Sequence, residues 1–239
     1  MIKYIDSKQN NKIKHVASLK ENKYRKEYQE FLAEGKKALE LALNAKNVKE
    51  VYTLKELPNI PQDITQYIVK KDVLDKISIS GSPEGIVVVS QIVNRKPKNT
   101  RKVVYLDRVS DPGNVGTIIR TALAFSYDAV ILSEGCCDPY NEKAVSASKG
   151  GIYLMPIMHG RLEDFSKDKV VIVSALSDKA ISLDDLNCDK PFILVVGNEA
   201  AGVSEDIIKK ANIVTKIPIE NIDSLNVAVA AGILMNKLR

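Results

Sequence analysis

An α/β fold, a parallel sheet covered by helices on both faces and preceded by a smaller α/β module, is predicted by three observations. First, beyond residue 102 near-continuous apolar runs such as FILVV (192–196) alternate with helical segments, the mark of strands buried on both faces. Second, residues 93–101 (VNRKPKNTR) are polar and basic around Pro97, bury nothing, and divide the chain into residues 1–95 and 102–239. Third, the 239 residues are 45% apolar, enough for a small core and a larger one.

In the first region, residues 36–45 (KKALELALNA) follow Gly35 and set Leu39 and Leu43 on one helical face, whereas 50–54 and 85–92 (GIVVVSQI) are β-branched runs that read as strands. In the second region the spacing predicts strands at 103–107, 129–132, 153–157, 170–174, 192–196 and 213–217. Helices are expected at 115–125, 141–148, 204–211 and 225–238. Along the last helix Val227, Ala231, Leu234 and Leu238 form an apolar stripe fit for core packing.

Charge is unevenly placed. Residues 1–100 carry 19 Lys+Arg against 12 Asp+Glu, a balance of +7, and the remainder is −2, within a total of +5. Eight basic side chains crowd residues 1–26, among them Lys12, Lys14, Lys23, Arg25 and Lys26. Such a cluster suits a polyanion, since each phosphate contact releases a condensed counterion; it is equally compatible with a solvated lysine-rich face. No apolar stretch is long enough for a membrane span, and the polar, lysine-rich beginning of the sequence lacks a secretory core, so a cytoplasmic protein with no membrane association is expected. Cys136, Cys137 and Cys188 match neither a disulfide framework nor a zinc site, and no metal is expected.

Ligands of open α/β sheets bind beyond the carboxyl ends of the strands. After the first strand of the larger region, residues 107–121 (DRVSDPGNVGTIIRT) deliver Asn114 and Gly116 to a helix start and Arg120 further in, a seat for phosphate or ribose or simply a common turn. Residues 197–202 (GNEAAG) bracket Glu199 with glycines that let a ligand approach the backbone; the plainer alternative is a loop entering a helix. Residues 217–226 (IPIENIDSLN) end a strand with Pro218 and place Ser224 and Asn226 before the last helix. Ser224 is the expected cap, and Asn226 is read as lying just inside the helix.

In order and spacing, DRVSDPGNVGTIIRTALAF, FILVVGNEAAGVSEDI and IPIENIDSLNVAVAAGIL resemble the three signature motifs of SpoU (TrmH-like) RNA ribose methyltransferases, of the SPOUT class. The likeness spans residues 103–239. More loosely, FLAEGKKALELAL and SPEGIVVV resemble the ribosomal-protein-like substrate-binding domain often fused to these enzymes. The resemblance implies a trefoil-knotted sheet, a homodimer with active sites at the subunit interface, S-adenosylmethionine as cofactor, and 2′-O-methylation of RNA, with ribosomal RNA favoured over transfer RNA. Carried over by motif position, the catalytic and ribose-site residues are Asn114, Arg120, Glu199, Ser224 and Asn226, Arg120 also touching RNA. The cofactor is expected near Ala175 and Leu176, Gly197, Asn198, Glu199 and Gly202, Ile217, Pro218 and Ile219, and Ser224, Leu225, Asn226 and Ala228. Three positions depart from the family pattern: Ser146 stands where an arginine is common, and Ala200 and Asn221 replace glycines.

Methyl transfer from a sulfonium to a hydroxyl requires in-line alignment and stabilisation of charge growing on the oxygen. A guanidinium, with a pKa above about 12, is a poor base, so Arg120 is expected to position the ribose phosphate and stabilise the alkoxide while Ser224 or Glu199 orients or relays the proton. His15 and His159 lie outside the motif cluster, and Cys136 and Cys137 have no nearby base. Two other functions compete with this reading. A non-catalytic RNA-binding or ribosome-assembly protein has no need of the five motif residues, and a dinucleotide-dependent dehydrogenase needs GxGxxG where this chain has only DPGNVG.

Overall fold

The computed structural model describes residues 1–79, 84–177 and 179–239. Two residues of the SPEGIVVV stretch, 82 and 83, lie outside the described residues. In chain order the elements are β1 (Ile2–Ile5), α1 (Asn11–Ser18), α2 (Asn22–Tyr28), β2 (Glu30–Glu34), α3 (Lys36–Asn44), β3 (Val48–Thr53), β4 (Thr65–Val69), α4 (Lys71–Ile77) and β5 (Ile86–Gln91). These continue as β6 (Lys102–Asp107), α5 (Pro112–Ala124), β7 (Ala129–Leu132), α6 (Glu142–Ser148), β8 (Ile157–His159), β9 (Val170–Ser174), β10 (Ile181–Ser182), β11 (Phe192–Gly197), α7 (Glu205–Ile208), β12 (Ile213–Lys216) and α8 (Val227–Lys237).

Two compact units result. The first holds residues 1–93 together with 140–153, so α6 packs with the N-terminal sheet; the second holds 94–139 and 154–239. The first unit is a mixed five-stranded sheet ordered β1-β4-β3-β5-β2, with β3–β5 and β5–β2 antiparallel and the other pairs parallel. Its core joins Ile13, Val16 and Leu19 to Tyr52, Tyr67, Val73, Leu74, Ile77 and Val87.

The second unit is a seven-stranded sheet ordered β10-β12-β9-β11-β6-β7-β8, parallel at every pairing, as the apolar strands predict. Val103, Tyr105, Ile131, Val173, Ile193 and Val195 form one core cluster with Val203 and Ile207. Helices α5 and α8 pack on each other and on β7 and β11, and Val227, Ala231, Leu234 and Leu238 are buried as the stripe predicts.

Several expected elements differ. The helix expected at 204–211 is only Glu205–Ile208, and the one expected at 115–125 starts at Pro112 and ends at Ala124. The strand expected at 153–157 is a 3-10 turn at Gly151–Tyr153 followed by β8. Pro156, which has no N–H for a ladder, delays the strand to Ile157, and the Pro156 carbonyl instead accepts from the Val130 N–H at 3.0 Å. The last helix starts at Val227, two residues later than expected, because Asn226 is its N-cap: Oδ1 accepts from the N–H of Ala228 at 2.9 Å and of Val229 at 3.3 Å. Asn226 is therefore the cap, and Ser224 is not.

Candidate active site

Strands β6 and β11 pair in register to their ends, which brings Gly197 opposite Asp107, so the loops that follow them emerge side by side. Buried Asp107 fixes the base of both. Its carboxylate accepts from the Ser204 N–H at 2.7 Å and pairs with the Arg108 guanidinium at 3.2 Å. Gly197 has no room for a side chain: an added Cβ would fall 2.2 Å from the Gly202 carbonyl carbon and the Val203 nitrogen. The loop turns back there through an Asn198–Gly202 bridge, with Gly202 at φ +67°. Asn198 braces it on both sides, donating from Nδ2 to the Arg108 carbonyl at 2.8 Å and accepting at Oδ1 from the Ala200 and Ala201 N–H groups at 3.0 Å.

The Glu199 carboxylate gathers the DPGN turn. It accepts from the Ser110 N–H and hydroxyl at 3.2 and 3.1 Å, from the Asp111 N–H at 3.0 Å and from Asn114 Nδ2 at 2.9 Å. Burial alone would raise its pKa. The donors from Asn114, Asp111 and Ser110 outweigh that and hold the carboxyl down at about 2. Its acceptor sites are occupied and its basicity is low, so Glu199 is a poor proton relay and serves to position the turn. Asn114, whose own N–H caps onto Asp111 at 2.8 Å, passes the connection on: its Oδ1 accepts from Asn226 Nδ2 at 2.9 Å. Three motifs far apart in sequence are thus joined in one chain of amides and carboxylate, Asn226 to Asn114 to Glu199.

Beside this chain opens a cavity of about 400 Å³. Of the residues expected around the cofactor, Ala175, Leu176, Gly197, Asn198, Glu199, Gly202, Ile217, Ile219, Ser224 and Leu225 line it; Pro218, Asn226 and Ala228 do not. Lys216, Ile208 and Ala230 also line it, and no residue pattern in the sequence singled them out. Exposed Ser224 faces the cavity and has no side-chain hydrogen bond among the described residues. Arg120 is exposed on α5 and does not line the cavity, and among the described residues it has no ion pair. Burial pushes the Cys137 thiol up to about 12 and raises that of Cys136, which leaves neither as a thiolate nucleophile.

In the first unit the basic residues differ from one another. Lys14, Lys23 and Lys26 are exposed, and Lys12 is paired with Glu50 and lies over the Tyr67 ring. Arg25 corrects the expectation of an RNA contact. It is 4% exposed, and its guanidinium donates to the Leu19 and Lys20 carbonyls at 2.9 and 2.7 Å, where it holds α2 against the end of α1. Among the described residues no group of three His, Cys, Asp or Glu could hold a metal ion, and no helix is long and apolar enough to cross a membrane.

A parallel sheet with a small-molecule cavity beyond its carboxyl strand ends, fenced by three polar loops, defines a ligand-binding α/β architecture. Residues 101–236 match the model of the SpoU rRNA methylase family, and residues 10–88 match an MRM3-like substrate-binding domain. The 23S rRNA (guanosine(2553)-2′-O)-methyltransferase RlmP of Bacillus subtilis is 31% identical over 100% of both chains. An uncharacterized tRNA/rRNA methyltransferase of Synechocystis is 29% identical over 98% of this chain and 93% of its own. Among solved structures, the AdoMet-bound rRNA methyltransferase of Sinorhizobium meliloti superimposes with a TM-score of 0.87 at 28% identity, covering 99% of this chain and 97% of the other. The chain belongs to the SpoU rRNA methylase family and is an RNA methyltransferase.

Proposed function

We propose that the chain transfers the methyl group of S-adenosylmethionine to a ribose 2′-hydroxyl of 23S ribosomal RNA. The observation that carries this reading is the junction of the three motif loops, where the Asn226–Asn114–Glu199 chain borders a cavity floored by Gly197. The cavity suits the cofactor: about 400 Å³ lies within the range of small-molecule sites, Gly197 brings main chain to its wall, and Leu176, Ile219 and Leu225 supply apolar surface. When bound there, the cofactor supplies an electrophilic methyl group.

The chain's own residues divide the remaining work. Gly197, Asn198 and Gly202 hold the loop against the cavity, and Ser224 is placed to orient the hydroxyl. Arg120, a permanent cation with a planar fork, binds the ribose phosphate and stabilises negative charge on the 2′-oxygen, whose proton passes to solvent. Because Arg120 is exposed on α5 and does not line the cavity, it is assigned to the site of a second subunit in a homodimer. Exposed Leu123 on α5, with Val229 and Ile233 on α8, supports an interface there. The trefoil knot implied by the resemblance belongs to the same reading, as does action in the cytoplasm.

The testing experiment is transfer of labelled methyl from S-adenosylmethionine to purified ribosomal and transfer RNA by wild type and Arg120→Ala. The expected result is label in the large-subunit RNA and a loss of about a hundredfold or more in the variant, which folds normally because the side chain is exposed. Label confined to transfer RNA would move the substrate to that class. An unaffected variant would remove Arg120 from the mechanism.

A further inference from the structure

Helix α2 (NKYRKEY) is an unusual surface helix: its one buried residue is the charged Arg25. It is held by the Arg25 guanidinium on two carbonyls, with Tyr28 exposed and Tyr24 half-buried. Tyr24 and Tyr28, spaced i,i+4, stack nearly parallel with centroids 6.0 Å apart and planes 11° from coplanar. His15 of α1 lies against Tyr28, ring centroids 4.4 Å apart and planes tilted by 52°, and is itself held by the buried Glu30 carboxylate at 2.8 Å. Tyr28 keeps 39% of its surface in solvent, and exposed Lys14, Lys23 and Lys26 lie on the same two helices, Lys23 standing over the Tyr24 ring.

Core packing does not account for an exposed tyrosine stacked on a half-buried one, on a helix anchored by an arginine. Rings on a rigid support among lysines are what binds unpaired nucleotides: bases stack on the aromatic faces, which every base allows, and the ammonium groups meet the backbone phosphates. We propose that His15, Tyr28 and Tyr24 form a stacking platform for unpaired bases of the RNA substrate, a site in the first unit separate from the methyl-transfer cavity. The proposal rests on RNA being the substrate. Paired RNA, whose bases are already stacked on one another, gains nothing from the rings and sees only the lysines.

The test titrates the full chain with two fluorescein-labelled probes of equal length, an oligouridylate and a fully paired RNA duplex, and follows anisotropy. Tyr28→Ala is expected to weaken oligouridylate binding about tenfold and leave duplex binding unchanged, whereas Tyr28→Phe, which keeps the ring, binds as wild type does. An independent measurement needs no variant: photocrosslinking a 5-bromouridine oligonucleotide to the wild-type chain should label the peptide that contains Tyr24 and Tyr28. Oligouridylate binding that is unchanged in Tyr28→Ala, or crosslinks that map only elsewhere, would overturn the proposal. The methyl-transfer assay is read separately, so an inactive enzyme with an intact platform and an active enzyme without one are distinct results.

Discussion

Asn226 divides its amide between two tasks: the oxygen caps α8 and the nitrogen reaches Asn114. The two separate by substitution. Asn226→Asp keeps a capping oxygen but replaces the donor with a carboxylate facing the Asn114 oxygen, so the melting temperature is expected to stay within a few degrees while methyl transfer falls tenfold or more. Asn226→Ala loses the cap as well, at about 1 kcal/mol. Equal activity in wild type and Asn226→Asp would show that the link to Asn114 is dispensable. Glu199 has a pH signature. Its folded pKa of about 2 lies below the ordinary 4.5, so its contribution is complete above pH 4.5 and is lost as pH falls from there through about 2. An acid titration of Glu199→Gln should therefore show a shallower loss of stability in that window than wild type shows. At this scale the sequence disclosed which residue types stand at the strand ends. It did not disclose their bonds, since Asn226 and Asn114 are 112 positions apart, nor that Arg25 turns inward to carbonyls its own helix brings within reach.

Among elements, the strands buried on both faces were the most legible. FILVV, VVIVS and AVIL became β11, β9 and β7 at or within a residue of their expected ends. The weaker cases were short elements whose pattern is set by partners. β1 and β4 are four and five residues long and pair with each other, and α1 and α2 read as little more than charge. The element that most constrains function is the β11 loop, because Gly197 packs main chain on main chain and nothing flexible can yield. Gly197→Ala should lower stability by about 1 to 3 kcal/mol through overpacking and should abolish cofactor binding measured by calorimetry. Gly202→Ala, where open space surrounds the added methyl but φ is +67°, is expected to cost less. A Gly197→Ala chain that binds cofactor normally would mean that the cavity wall tolerates movement.

For the molecule as a whole, the proposed reading assigns recognition to the first unit and chemistry to the second. The basic balance of +7 lies in residues 1–100, with the substrate-binding match and the proposed tyrosine platform, and the cavity belongs to the second unit, whose sequence is close to neutral. A change of unit near residue 93 was legible from the polar stretch around Pro97, whereas the grouping of residues 140–153 with the first unit was not, because helix α6 reads the same from sequence whichever sheet it packs on. The central claim, methylation at the 2′-oxygen of a ribosomal RNA ribose, is tested most directly by incubating unmodified 23S RNA with the protein and S-adenosylmethionine and then hydrolysing it in alkali. A 2′-O-methyl group removes the nucleophile that cleaves the adjacent phosphodiester. The account predicts one new position resistant to alkali, absent when cofactor is withheld or Arg120→Ala is used. Methyl label that is incorporated but released on bases, with every phosphodiester still cleaved, would contradict it.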